Sequence, residues 1–431
     1  MTLEDCLKNS LPLGEEFEIF NLQSPPRETS PIVFPEAAGN INKKNENIKT
    51  VKTQHFVALC HSQKVVFAVE IVVYFTIYLN SSAPTERLLF VSKADTNGYC
   101  SVKLNVGRIV RSIIAFILAI DPNHYLQKVK PGVRKLLASD HIIRRTTPVR
   151  KALKILSERK LDRNGINSKV HIPEHELYVK YTAATELITQ ISLFTRAEPQ
   201  YLFSDSSKNP NKHILSGDKL LLWWLRIIDQ VIVESFDDTT KATLQIPGEE
   251  KRIIANYLRR TKYKNWTVGD IFSKDPQDIA LYRIPLFPDD PKGRFLEHLA
   301  SDGRIHKVTV STFWTELQAR QEFRLGSTVS VIGVSGRYTG ITNVLQPQDI
   351  VVTMSKNEFK NLKNYITGEE YDTSEGAEEA YMNIRDILKN NYASQMVKIT
   401  GNFKSQVNAP QQNTNTINVI NTLSIHRKPR A

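Results

Sequence analysis

Residues 56–79 are dominated by β-branched and aromatic side chains, and that composition predicts a sheet before any motif is considered. Residues 65–79 within the run are strongly apolar, yet Glu70 interrupts them and they fall short of the roughly 20 residues a membrane span requires. Residues 109–120 are also apolar and are broken by Arg111, so both segments read as buried elements of a globular protein. Residues 87–91 repeat the strand composition. Asn97-Gly98 separates them from residues 99–106, which predicts a hairpin with a tight turn.

The chain has 431 residues, 41% of them hydrophobic, enough for one large α/β unit or for two to three ordinary domains. Its net charge of +12 favours acidic partners, whether nucleic acid, an acidic protein or a phosphorylated cofactor. Cys6, Cys60 and Cys100 are an odd set without CxxC or Cys/His clustering. They argue against a disulfide framework and a structural zinc site, and fit a reducing compartment. The N-terminus carries acidic residues and no apolar leader, so no signal peptide is expected.

Apolar spacing predicts helices over residues 108–126, perturbed by Asp121-Pro122, and over residues 183–194, 217–236, 249–262 and 374–390. Thr373 or Ser374 would cap the last of these. Residues 305–313 and 328–334 read as strands, and the glycine-rich residues 333–340 as a loop. Residues 24–50, rich in Pro, Asn and Lys, read as a mobile loop. Residues 128–172 are a basic insertion, partly disordered, serving either as a solvated face or as a docking arm. After Phe403 the chain turns Asn/Gln-rich and ends on Arg427-Lys-Pro-Arg430, a polar, basic tail over residues 404–431.

Two segments carry most of the candidate chemistry. Asp289-Asp290, bracketed by Pro288 and Pro291 after an apolar run, brings two carboxylates together, and repulsion with partial burial would raise one pKa toward that of a useful base. The same residues also suit an ordinary acidic turn. Lys93, Asp95 and Thr96 beside the Asn97-Gly98 turn, with Lys103 and Arg108 beyond it, could hold a pyrophosphate. Trp223-Trp224 lies in an apolar helix, where core packing competes with a place in a polar cleft. No P-loop or dinucleotide-binding fingerprint is present.

Eight blocks in unbroken order carry a resemblance: Phe90-Val-Ser-Lys-Ala-Asp-Thr-Asn-Gly-Tyr-Cys100, Tyr125-Leu-Gln-Lys-Val-Lys-Pro131, Asp205-Ser-Ser-Lys-Asn209, His213-Ile-Leu, Trp223-Trp224, Val268-Gly-Asp-Ile-Phe272, residues 284–295, and Tyr365-Ile-Thr-Gly-Glu-Glu-Tyr-Asp372. Over these blocks the chain resembles the fungal family of acetyltransferases that modify lysine fifty-six of histone H3. The resemblance implies an α/β fold like that of the CREB-binding-protein type: a central mixed β-sheet surrounded by helices, forming a single catalytic domain over residues 1–403. It implies acetyl-coenzyme A as co-substrate, with no metal. Ala94, Asp95, Thr96, Lys103, Leu104, Asn105, Val106, Gly107, Phe194, Glu198, His213, Ile214, Leu215 and Trp223 would line the cofactor site. Gly107 stands where the family carries a basic residue, which shifts the expected phosphate contact to Arg108 or Lys103. Asp290 would be the principal catalytic carboxylate, with Asp289, Asp95 and Trp224 near the reacting groups, Tyr201 in a tunnel for the substrate lysine, and Lys292 a site of self-acetylation.

The resemblance further implies a nuclear enzyme acting on H3–H4, chiefly on lysine fifty-six and also on N-terminal tail lysines, in replication-coupled nucleosome assembly. Its partners would be acidic histone chaperones of the nucleosome-assembly-protein and anti-silencing-function types, with no membrane and no required contact to nucleic acid. The alternative is a non-enzymatic scaffold that binds nucleic acid or a chaperone, supported by net charge and the basic arm. Cys100 is not expected to act as a nucleophile, because no histidine lies near it in sequence.

Overall fold

The computed structural model describes residues 2–34, 47–79, 81–132, 178–273, 275–319, 328–340, 350–392 and 394–404. In chain order, its first half contains α1 (Leu3–Leu7), β1 (Glu16–Gln23), β2 (Arg27–Thr29), β3 (Ile48–His61), β4 (Lys64–Tyr78), β5 (Thr85–Thr96), α2 (Val106–Ala119), α3 (Pro122–Leu126) and β6 (Leu187–Thr195). There follow α4 (Gly217–Ser235), β7 (Lys241–Gln245), α5 (Lys251–Leu258), β8 (Trp266–Val268), α6 (Pro291–Ser301), α7 (Val310–Gln318), β9 (Ser330–Arg337), β10 (Val351–Val352), α8 (Lys356–Thr367), α9 (Ser374–Tyr392) and β11 (Val397–Thr400).

The strands form one mixed sheet in the order β10-β1-β3-β4-β5-β6-β9-β7-β8, with β11 added to β1 and β2 to β3. The pairs β5/β6, β7/β8 and β1/β10 are parallel, and the other pairs are antiparallel. Successive side chains of a strand face opposite sides of a sheet, and β3 sorts its residues accordingly. Val57 and Leu59 pack with α2 and α4 on one face, whereas Phe56, Ala58 and Cys60 pack with α8 and α9 on the other. β4 is buried along nearly its whole length, as a central strand covered on both faces must be. The expected α/β architecture, a mixed sheet surrounded by helices, is thus present.

Several local expectations are corrected. Residues 183–194 are not helical: β6 runs there, between β5 and β9. Burial alternates over most of β6, but its buried positions include the polar Thr189, Ser192 and Thr195 while Ile188 and Phe194 are only half-buried, so the apolar pattern does not follow the strand period and helical spacing mimicked it. Residues 305–313 lead into α7 instead of forming a strand. Thr309 caps that helix by accepting from the Thr312 amide at 3.2 Å, a local helix start that overrides β-branched composition. The glycines of residues 333–340 lie mostly in β9, not in a loop. A Cβ on Gly333 would come within 2.9 Å of Thr243 and Ile271, and one on Gly336 within 2.0 Å of Thr240, so these glycines admit close neighbours.

The tight turn after β5 is not a hairpin. β5 ends at Thr96, and Gly98, at φ +85°, opposes the backbone of Lys212, where a Cβ would meet the amide nitrogen at 2.7 Å. The long hairpin joins β3 to β4 through Ser62 and Gln63, both at positive φ (50° and 60°). Neither residue is a usual left-handed turn former, which is why no turn signal marked it. Of residues 24–50, β2 and the start of β3 are ordered in the sheet, and residues 35–46 lie outside the described residues. Of the basic stretch, Val129 exchanges backbone hydrogen bonds with Val179, and residues 133–177 lie outside the described residues, as does the tail beyond Lys404.

Candidate active site

The end of β5 opens into a cleft of about 1200 Å³, walled by the loop that follows the strand, the start of α2, residues 197–215 and one side of α4. Of the predicted cofactor residues, Ala94 to Thr96, Lys103 to Gly107, Glu198, His213 to Leu215 and Trp223 line it, as does Tyr201. Phe194, Trp224, Asp289, Asp290 and Lys292 do not. Phe194 lies beyond the cleft, its ring centroid 5.2 Å from the Lys292 amine. Trp224 points into the core beneath, 6% exposed, and meets Trp223 edge to face at 4.8 Å.

The cleft is electrostatically polarised. α2 begins at Val106 with Asn105 as its cap and has no acidic residue in its first turn, so its unpaired amides and dipole favour an anion. Lys103, Arg108 and Lys404 line the same end. Arg108 lies over the Phe403 ring at 4.2 Å, which brings the segment after β11 to the cleft. Phe403, Lys404 and Pro12 carry no local signal of this placement, because only strand pairing across the termini puts them there.

Asp95 is bound on all sides. Its Oδ2 accepts from the Tyr201 and Leu202 amides at 2.7 and 3.0 Å, and its Oδ1 accepts from the Thr96 amide at 2.9 Å and pairs with Lys212 at 2.9 Å. Through these contacts the carboxylate organises the loop. Burial and the nearby Glu198 and Asp95 charges hold the Tyr201 phenol well above the usual range, so it stays neutral.

Two strand positions before Asp95, roughly 7 Å along β5, Lys93 reaches the other candidate segment. Its amine pairs with Asp289 at 3.0 Å. Asp289 has a left-handed backbone (φ 55°), and Asp290 caps α6, with Pro291 at the first helical position, a favourable N-terminal arrangement. The Asp290 Oδ1 accepts from the Lys292 amide at 3.0 Å, and Oδ2 lies 2.6 Å from the Lys292 amine. These two side chains are 0% and 1% exposed. The Lys292 amine also lies between the rings of Phe194 and Phe287, at 5.2 and 5.7 Å. The expected repulsion between the two acids is not what governs Asp289: it is 73% exposed, and the hydrogen bond from Lys93 holds its pKa below the usual carboxylate range. Lys93→Met is expected to move the Asp289 pKa back upward, as a carboxylate NMR titration would show; an unmoved pKa would exclude Lys93 as the cause.

A further carboxylate, Asp270, stands near this pair. Its Oδ1 accepts from the Phe272 amide at 3.0 Å, and its buried Oδ2 has no hydrogen-bond partner among the described residues. Burial raises its pKa; Lys292 opposes the rise and Asp290 adds to it. Asp270 lies inside the block Val268-Gly-Asp-Ile-Phe272, which was legible as a motif without a role. On β3, burial pushes the Lys52 amine down to about 8. Cys100 does have a histidine neighbour in space: His61 Nδ1 is 3.9 Å from its Sγ. Burial nonetheless raises the thiol pKa, which keeps the sulfur protonated. No group of three or more His, Cys, Asp or Glu able to hold a metal ion occurs among the described residues, and no helix there is long and apolar enough to cross a membrane.

Residues 3–387 match the family model of the histone acetyltransferase KAT11-type domain, and the protein is a histone lysine acetyltransferase that uses acetyl-coenzyme A and acts on histones. It is 35% identical over 365 residues to Histone acetyltransferase RTT109 of Candida albicans, an alignment covering 84% of this chain and 93% of the relative. A second relative, Histone acetyltransferase rtt109 of Aspergillus flavus, is 22% identical over 83% of this chain and 59% of its own length. The crystal structure of Rtt109 from Aspergillus fumigatus shares the fold, with a TM-score of 0.64 at 19% identity, over 94% of this chain and all of that one. The chain belongs to the KAT11-type histone acetyltransferase family, in its fungal Rtt109 group.

Proposed function

We propose that the cleft binds acetyl-coenzyme A with its phosphates at the Lys103, Arg108 and Lys404 end, and that the acetyl group passes to a lysine of histone H3, chiefly lysine fifty-six. The observation that carries this reading is the connection along β5 between the cation-lined cleft and the buried Asp290–Lys292 pair. A lysine amine with a pKa of about 10.4 is almost fully protonated at neutral pH, and only its free form attacks a thioester. Asp290 takes the proton, directly or through water, while Tyr201 and the apolar walls orient the amine. Nitrogen forms the new bond to the acetyl carbon as the carbon–sulfur bond breaks, and the second proton shed by the nitrogen passes to the sulfur, so that coenzyme A leaves as its thiol. Asp290 is engaged by Lys292 in the resting pair, so acetylation of Lys292 would remove that competing charge.

A chain of net charge +12 meeting a basic histone is slowed by like-charge repulsion, and an acidic chaperone that presents H3–H4 removes this obstacle. We assign the chaperone contacts to the basic residues 134–163 or the Arg427–Arg430 end, and the setting to nucleosome assembly in the nucleus. The non-enzymatic scaffold is not retained, because membership in an acetyltransferase family accounts for the chain. The test is radiolabelled acetyl transfer to H3–H4 with and without acidic chaperones, with the modified lysine mapped by mass spectrometry. Chaperone-stimulated labelling of lysine fifty-six that weakens with salt is expected. Equal rates without chaperone, or labelling confined to other lysines, would overturn the corresponding part.

A further inference from the structure

We propose that Lys212 is a positioning residue: its ion pair with Asp95, together with the Asn209–Asn97 contact, forms a two-point latch that sets both walls of the cleft. This rests on reading the cleft as the acetyl-coenzyme A site. Lys212 and Asp95 side chains are 4% and 6% exposed and 2.9 Å apart, so the pair is shielded from solvent and its geometry is restrictive. The Lys212 amine also donates to Ser206 Oγ at 2.7 Å, and Ser206 Oγ donates to the Phe203 carbonyl at 2.7 Å, which ties the amine to the turn it stabilises. Buried Asn209 donates from Nδ2 to the Asn97 carbonyl at 2.7 Å, and Asn97 in turn donates to the Val65 carbonyl at 2.6 Å. The loop is thereby fastened at two points, to the end of β5 through Asp95 and to β4 through Asn97.

The latch acts in both directions along the chain. On one side the same Asp95 carboxylate holds the Tyr201 and Leu202 amides, so the pair fixes the wall carrying Tyr201. On the other side Lys212 is followed at once by His213, Ile214 and Leu215, which form the opposite stretch of wall. Gly98 makes the close approach possible, since any Cβ there would collide with the Lys212 backbone. Ile214 is 47% exposed and His213 is also exposed, so little besides the latch holds this segment against the cleft.

The experiment compares steady-state kinetics and acetyl-coenzyme A binding, read by intrinsic tryptophan fluorescence, for wild type, Lys212→Met, Lys212→Arg, Asn209→Ala and the double variant Asp95→Asn/Lys212→Met. The expected result for Lys212→Met is a rise of about tenfold or more in KM and Kd for acetyl-coenzyme A, with a smaller change in kcat. Lys212→Arg should restore much of the affinity, and the double variant should bind better than Lys212→Met because it leaves no unpaired buried carboxylate. If Lys212→Met does not fold, Asn209→Ala decides the matter, with a smaller rise of the same sign expected. Wild-type affinity in either folded single variant, or a double variant no better than Lys212→Met, overturns the latch. An emission change on binding acetyl-coenzyme A that persisted unaltered in Trp223→Phe would instead overturn the placement of the cofactor.

Discussion

Asp290→Asn is expected to lower kcat for histone acetylation by about 10²–10⁴-fold at neutral pH, the range over which a positioned general base contributes. The substitution is well isolated structurally. Asparagine caps a helix about as well as aspartate, so the hydrogen bond that Asp290 Oδ1 accepts from the Lys292 amide persists and α6 keeps its start. What disappears is the negative charge beside Lys292 and the ability to accept a proton. Because an unpaired Lys292 ammonium would remain buried, some stability is lost as well, and the double variant Asp290→Asn/Lys292→Gln separates the two effects. It should recover thermal stability and stay inactive. A double variant that regained near wild-type kcat would remove Asp290 from the chemistry.

Lys292→Met carries the second large effect, a loss of roughly 3–5 kcal/mol of folding stability, the cost typical of breaking a buried ion pair from one side. Asp290 would be left uncompensated, with Asp270 and its unpaired Oδ2 close by. The sign of the pH dependence tests this cause. Asp270 already has a raised folded pKa, and losing Lys292 removes the influence that opposes the rise. A carboxyl whose folded pKa lies above its unfolded value stabilises the fold most when protonated and loses that contribution as pH rises through the folded pKa. The penalty of Lys292→Met, measured by denaturant unfolding, should therefore be larger at pH 8 than at pH 5. A penalty independent of pH would mean that Lys292 matters for packing alone.

The legible parts of the site were those encoded locally. Asp289-Asp290 was legible as a carboxylate pair set between prolines after an apolar run; that Asp290-Pro291 also starts α6, an acidic cap followed by proline, was not read from it. The residues around Asp95 and His213 were found through long matching blocks, and the structure gathers them around one cleft. Asp95 was expected beside the reacting groups and lines the cleft; its oxygens hold backbone amides far along the chain, a partner choice no local pattern encodes. β6 was misread because its buried positions include the polar Thr189, Ser192 and Thr195 while Ile188 and Phe194 are only half-buried, so its apolar residues do not alternate as those of a recognisable strand do.

By itself the sequence determined where apolar and β-branched stretches would form a core, where α4 and α9 would run, and which blocks mark the acetyltransferase family, since these depend on short-range sterics and local hydrogen bonding. The tertiary structure alone decided that Lys212 would meet Asp95, that Lys93 would meet Asp289, and that Phe403 would reach Arg108. Those contacts follow from strand order and helix packing across the whole chain. Their partners are brought together by burial of the sheet's two faces, a long-range constraint with no signature in any single stretch of residues.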